Sequence, residues 1–480
     1  MNSCGFNFDT TYTSLPKVFY SKLKPDHVAE PNVLLYNETL GLDLGLDFSN
    51  LSLNDQSSLF SGIKLPADTN PYAQSYAGHQ FGHFTILGDG RAHILGEHVT
   101  DSGKRFDIQF KGSGRTPYSR RGDGKAVLGP MLREYIISEA MYYLGIPTTR
   151  SLAVVTTGES VRRETILPGA ILTRVADSHI RIGTFEFAAS YEDKKIIQSL
   201  LDYSIKRHYP EIINSENKAL ALIEAVMEKQ VNLIVQWMRV GFIHGVMNTD
   251  NMVLSGETID YGPCAFMDEY DLNTVFSSID HGGRYAYGNQ PKMAQWNLAR
   301  LAETLLPLID KDVDKSIKLA EEVIYKFSDL YQNKWQKMMQ SKLGLMKSEK
   351  NDKKLISDLL DWMQKSKADF TNTFNDLTSQ KKLEDKIYND DKFQHWYNQW
   401  KKRKQNNPDS QLLMRKNNPA IIPRNHNVEN ALSAAENGDI DIFNSLLEVL
   451  RSPYENNNLI KSYQTPPKPD ERVYQTFCGT

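Results

Sequence analysis

The chain has 480 residues, with 56 Lys and Arg against 59 Asp and Glu and a formal net charge of −3. That length exceeds one average globular core and predicts a two-lobed enzyme or two to three domains, and the near balance of charge removes the strongly basic face that would make nucleic acid a default partner. No stretch approaches the ~18 apolar residues of a spanning helix, the amino terminus has neither a signal-peptide core nor an Arg-rich character, and Cys4, Cys264 and Cys478 are too far apart for a zinc ribbon or a disulfide scaffold. A cytoplasmic protein with no membrane partner is expected.

Residues 1–70 read as an irregular extension punctuated by Pro16, Pro25 and Pro31. Residues 71–165 then carry strand signals. His83–Leu87 and Ala92–Glu97 flank Gly88-Asp89-Gly90-Arg91, predicting a tight glycine hairpin. After the turn Asp101-Ser102-Gly103-Lys104, Phe106, Ile108 and Phe110 alternate with Arg105, Asp107, Gln109 and Lys111, so the two sets lie on opposite faces of a strand. Residues 131–144 have helical spacing and stop at Gly145, with Pro147 beyond. Ser151–Thr156 is another strand.

Residues 166–300 hold a helix over 218–240, stopped by Gly241, followed by a loop from Phe242 to Asn251. Met252-Val253-Leu254 and Thr258-Ile259-Asp260 are predicted to pair as a small hairpin around Ser255-Gly256-Glu257. Residues 301–480 are helical and charged, with an extended end at Pro466, Pro467 and Pro469. The run Lys401-Lys402-Arg403-Lys404 reads as a solvated helix end. The fold class is α+β, a protein-kinase-like two-lobed fold with an amino-terminal extension and a helical carboxy-terminal region.

The kinase reading rests on four parts in one order. A glycine loop lets backbone approach phosphates, a strand lysine contacts them, a helix glutamate holds that lysine, and a later loop supplies metal ligands. Here these are Gly88 and Gly90, Lys111, Glu134, and His244 to Asn251 followed by Asp260-Tyr261-Gly262. Asn251 falls seven residues after His244, as the metal-binding asparagine of a kinase catalytic loop does. Its amide oxygen and the Asp260 carboxylate are hard ligands suited to Mg²⁺ or Mn²⁺. The kinase catalytic aspartate is missing, because Val246 occupies its position and cannot accept a proton; Asp250 is the nearest carboxylate. His244 reads as a brace for the loop. A second cationic set, Arg115, Arg120, Arg121 and Lys125, surrounds Gly122-Asp123-Gly124, with Arg174 and Arg181 downstream. No Walker A loop, Rossmann fingerprint, nucleophile elbow or H-E-x-x-H motif competes.

The strings Tyr76-Ala77-Gly78-His79-Gln80-Phe81-Gly82, Gln109 to Arg120, Arg121-Gly122-Asp123-Gly124, His244 to Asn251, Asp260-Tyr261-Gly262-Pro263 and Pro423-Arg424-Asn425-His426 closely resemble the selenoprotein O family (YdiU in bacteria), the adenylyltransferase pseudokinases. The resemblance implies transfer of AMP from ATP to Ser, Thr or Tyr hydroxyls of proteins, itself included, with ATP flipped relative to a kinase. It assigns ATP contacts to Gly88, Gly90, Arg91, Lys111, Asp123, Gly124, Arg174, Arg181 and Asp260. Metal binding falls to Asn251 and Asp260, proton acceptance to Asp250, and the ion pair with Lys111 to Glu134. Cys478 stands where animal members carry selenocysteine. A transient disulfide between Cys478 and Cys264 is one reading, and a buried Cys264 with a surface Cys478 is the other. Protein uridylylation with UTP and Mn²⁺, conventional phosphotransfer and a non-catalytic scaffold are the alternative functions.

Overall fold

Alternation of apolar and polar residues in the first third of the chain is spent on one antiparallel sheet. The computed structural model describes residues 4–379, 383, 385–405, 408–474 and 476; Cys478 lies outside these residues. The strands are β1 (Tyr20–Lys22), β2 (Asn32–Tyr36), β3 (Tyr72–Gln74), β4 (Ala77–Gln80), β5 (His83–Ile86), β6 (Ala92–Val99), β7 (Arg105–Lys111), β8 (Ala126–Val127), β9 (Arg150–Arg162), β10 (Ile166–Ala176), β11 (Phe242–Ile243) and β12 (Ala265–Phe266). Eight of them form one sheet in the order β1-β3-β6-β7-β10-β9-β2, with β8 alongside β10. Strands from the first 36 residues therefore close both edges of this sheet.

Each sheet face has its own cover. Ile108 and Phe110 of β7 join Leu152, Val155, Ile171 and Val175 on one face, under Phe6, Phe48 and the helices α1 (Glu38–Asp43) and α2 (Leu53–Phe60). The opposite face, carrying Ile94, Val154 and Leu172, packs on Leu132 and Ile136 of α3 (Leu128–Tyr143). Thus the β7 alternation places Gln109 and Lys111 toward α3, as its period of two requires.

The rest of the chain is mainly helical: α4 (Ile182–Ala189), α5 (Lys194–His208), α6 (Lys218–Val240), α7 (Gln290–Ile309), α8 (Val313–Lys342), α9 (Asp352–Ser366), α10 (Phe370–Ser379), α11 (Asp391–Lys404), α12 (Pro408–Asn417), α13 (Asn425–Glu436) and α14 (Asp441–Leu450). The architecture is mixed α+β, an amino-terminal antiparallel sheet followed by a helical half. Helix α6 spans the predicted 218–240, capped by Asn217 and ended by Gly241 at φ +73°, whose N–H reaches Trp237 O. The basic run at 401–404 forms the last turn of α11, where cations oppose the negative end of the helix dipole. Among the described residues, no helix is long and apolar enough to cross a membrane.

Two predicted hairpins are absent. His83–Leu87 does not pair with Ala92–Glu97 across Gly88–Arg91: β5 folds back on β4, and β6 pairs with β3 and β7. The nearer turn wins because Phe81 and Gly82 take φ of +51° and +92°, the two positive angles of a tight two-residue turn. Gly88 instead sits at φ +146° against the Tyr118 ring, where a Cβ would come within 2.4 Å of the side chain. Nor do residues 252–254 pair with 258–260: Val253 bridges Arg181, and Thr258 bridges Thr148.

Candidate active site

Lys111 ends β7, Glu134 lies on the adjoining face of α3, Arg174 is on β10, and Arg181 precedes α4. Lys111, Arg174 and Arg181 meet at Asp260, and Glu134 pairs with the first two. Lys111 Nζ donates to Glu134 Oε2 at 2.6 Å and to Asp260 Oδ1 at 3.0 Å. Arg174 donates through Nε to Glu134 Oε1 at 2.6 Å, through Nη2 to Asp260 Oδ1 at 2.6 Å, and through Nη1 to Gln109 Oε1 at 3.2 Å. Arg181 Nη1 donates to Asp260 Oδ2 at 2.7 Å. Arg174 and Arg181 are both buried. Three cations are thereby gathered on one side of a cleft, which suits a polyphosphate. Burial alone pushes the Asp260 carboxyl up in pKa, but Arg174, Lys111 and Arg181 outweigh it and hold the group well below the usual carboxylate range. Asp260 itself sits at φ +61°, a conformation that costs a non-glycine residue and is here held by the ion pairs.

The loop after α6 is built around His244. Its buried ring donates from Nε2 to Ile259 O at 2.9 Å and lies against Trp237, so this histidine braces the loop. Burial pushes its pKa down. The chain then makes a short 3₁₀ turn over Thr249–Asn251. Arg181 Nη1 donates to the Asp250 carbonyl at 2.5 Å. Asn251 commits Nδ2 to Val246 O at 2.9 Å, which turns its Oδ1 outward as an acceptor. Asp250 is 8% exposed, and its Oδ1 is buried without a hydrogen bond. Burial pushes this carboxyl up to about 6, against the pull of Arg181. Gly78 of β4 lies against it so closely that a Cβ there would fall 2.2 Å from Oδ1.

One cleft of ≈ 400 Å³ gathers these groups. Gly88, Gly90, Arg91, Lys111, Asp123, Gly124, Glu134, Arg174, Arg181, Asp250, Asn251 and Asp260 all line it, together with Val246. Of the other cations around Gly122-Asp123-Gly124, Arg120 and Lys125 line the cleft, and Arg115 and Arg121 are not among its lining residues. Cys264 is buried at 1% exposure, and its proposed partner Cys478 lies outside the described residues.

Tyr76, Gln109, Tyr118 and Arg163 are among the lining residues that carried no expectation of their own. The first three fall inside strings quoted above for their resemblance. Arg163, at the β9–β10 turn, had no motif. Its guanidinium clamps Asp123, Nη1 to Oδ2 at 2.8 Å and Nη2 to Oδ1 at 3.1 Å, and Nη2 also donates to Lys125 O at 2.8 Å. That fork holds the Asp123 carboxyl below its ordinary pKa and fixes the glycine-rich loop at the cleft mouth.

The profile of the family described as "Protein adenylyltransferase SelO" matches residues 3–451. A "Protein nucleotidyltransferase YdiU" of Nitrosococcus oceani is 59% identical over 481 residues, covering 99% of this chain and 98% of its own. Proteins of the same description from Bacillus cereus and Bacillus anthracis are each 55% identical over 484 residues, covering 100% of this chain and 99% of theirs.

Proposed function

Because the chain belongs to the SelO family of protein adenylyltransferases, its reaction is nucleotidyl transfer to protein, and we propose that ATP lies in the cleft with its α-phosphate toward Asp250. In this reading the sheet with α3 and the helical half are the two lobes of a protein-kinase-like fold. The acceptors are Ser, Thr or Tyr hydroxyls of proteins, including the enzyme's own.

The chemistry balances with this chain's groups. The acceptor oxygen attacks the α-phosphorus, its proton passes to Asp250 Oδ1, and the bond from the α-phosphorus to the oxygen bridging to the β-phosphate breaks. Pyrophosphate leaves with that electron pair. Lys111, Arg174 and Arg181 hold the phosphate chain and stabilise the charge that develops on it. Gly88 and Gly90 let the Tyr118–Ser119 segment pack close against the cleft wall, while Arg91, Asp123 and Gly124 line the mouth. The observation that carries the reading is the buried Asp250 Oδ1, which has no hydrogen bond among the described residues and belongs to the residue whose carbonyl Arg181 ties to Asp260. A carboxylate poised in this way is an acceptor for a proton.

Mg²⁺ or Mn²⁺ suits the hard oxygens available, the Asp260 carboxylate and Asn251 Oδ1. Among the described residues no three His, Cys, Asp or Glu side chains converge as a metal cage; Asp260 and Asn251 would hold the ion together with the phosphates of a bound nucleotide. When bound, the ion supplies charge neutralisation to the phosphate chain. A crystal structure with a non-transferable α,β-methylene ATP analogue tests the orientation: the α-phosphorus nearest the Asp250 carboxylate is expected, and the γ-phosphorus in that place overturns it.

A further inference from the structure

The β4–β5 hairpin is fastened to the catalytic loop. His79 N–H donates to Thr249 Oγ1 at 2.8 Å, Phe81 N–H donates to Asn248 Oδ1 at 3.1 Å, and Gly78 lies against Asp250. Those contacts come from β4 and from the first residue of the turn after it. β5, the other strand, pairs with β4 alone among the described residues.

The register says what the outer edge of β5 offers. Ala77 faces Ile86 and His79 faces Phe84, and the next pair outward is bonded, Leu87 N–H to Tyr76 O at 2.8 Å. In an antiparallel ladder bonded and non-bonded pairs alternate. Phe84 and Ile86 therefore turn their N–H and C=O groups away from β4, with no backbone partner among the described residues. Their side chains share one face, and they are 46% and 57% exposed. An unpaired strand edge with two exposed apolar residues is a template for another strand.

We propose that this edge is where the acceptor protein docks: an extended segment of the substrate adds to β5 by main-chain hydrogen bonds and packs apolar side chains on Phe84 and Ile86. The reaction itself requires a protein hydroxyl beside the cleft, and Leu87, next in the chain after Ile86, already lines that cleft. Strands lie about 4.8 Å apart, so a segment added to β5 runs roughly 10 Å from β4. About three residues of extended chain cover that span, enough to bring a hydroxyl from the docked strand to Asp250. A second copy of this chain fits the edge less well, because a stable dimer buries about 800 Å² on each partner, far more than two side chains on a four-residue strand supply. Docking by main chain explains how one site accepts hydroxyls in different sequences. It rests on Asp250 as the acceptor base.

The test uses the full-length enzyme, α-labelled ATP and short synthetic peptides with one serine and valines two residues to either side. Label is expected on the plain peptide and lost on the same peptide with backbone N-methyl groups. Ile86→Pro removes an outward N–H without touching the ladder to β4. It should raise KM for the peptide roughly tenfold beyond the effect of Ile86→Ala and leave ATP affinity as it was. Equal labelling of the N-methylated peptide, an unchanged KM in Ile86→Pro, or no labelling of any peptide while the protein labels itself each overturns the docking edge. So does a dimer in solution that Ile86→Pro dissolves, since the edge is then taken by a second copy. Asp250→Asn, run alongside, separates the two ideas: loss of labelling there with normal labelling of N-methylated peptide refutes the docking edge and spares the base.

Discussion

Arg181 bonds Asp260 side chain and Asp250 backbone through one nitrogen: Nη1 lies 2.7 Å from Asp260 Oδ2 and 2.5 Å from the Asp250 carbonyl. The proposed base and the proposed metal ligand are thereby held in one fixed relation. Arg181 also lies over the Tyr76 ring, 4.6 Å from its centroid. Arg181→Ala leaves the Asp250 carbonyl without its buried donor, while Lys111 and Arg174 still pair Asp260, and should cost about 1–3 kcal/mol of stability, read as a lowered denaturation midpoint. Arg181→Lys keeps the charge but loses the planar guanidinium that lies over Tyr76 and sets Nη1 between Asp260 and the Asp250 carbonyl, so it should fold and yet transfer poorly. Normal turnover in Arg181→Lys would remove the guanidinium geometry from the mechanism.

Asp250→Asn keeps the shape of the loop and removes the proton acceptor. Turnover should fall by roughly 10²–10⁴, while ATP affinity stays nearly unchanged. A loss of affinity with turnover preserved would make Asp250 a binding residue instead.

Arg163 acts through Asp123 and the carbonyl of Lys125. Both partners are partly exposed, so the clamp is worth less than a buried pair. Arg163→Ala should raise KM for ATP by roughly threefold to tenfold with kcat little changed, and Arg163→Lys should recover part of the loss. An equal fall in kcat would place Arg163 at the transferring phosphate.

Two buried histidines set an acid limit on stability. Burial pushes His93 down to about 4 and also lowers His98. His98 is held neutral by its partners: Nε2 donates to Leu44 O at 2.8 Å, and Nδ1 accepts from Asn7 N–H at 3.1 Å. The unfolded chain takes up protons near pH 6.5, where the folded one does not. Stability present above that pH is therefore lost as pH falls toward the folded pKa. His93 should contribute a slope approaching about 1.4 kcal/mol per pH unit between its unfolded and folded pKa values, and His98 adds to it in the same direction. Denaturant midpoints between pH 7 and 5 check this, and His93→Gln should reduce the slope.

The sequence made the site more legible than the path of the backbone through it. Lys111 ends an alternating strand, Glu134 sits on a clearly periodic helix, and Asn251 and Asp260 are read by local spacing, so each could be placed from its neighbours. Strand partnership could not. The residues around Gly88 have turn composition, but pairing of β5 was decided by the positive φ at Phe81, a residue type that seldom adopts it. Val253 and Thr258 bridge Arg181 and Thr148, far along the chain, and no local pattern announces such contacts. Arg163 stayed hidden for the same reason: in sequence it belongs to an ordinary charged turn, and only the fold brings it to Asp123.

The most direct test of adenylyl transfer at this site is to incubate the protein and a metal ion with ATP labelled at either the α- or the γ-phosphate. The account predicts that α-label becomes covalently bound to protein, that γ-label leaves as pyrophosphate, and that Asp260→Ala abolishes the incorporation. Stable γ-label on protein with no α-label would contradict it.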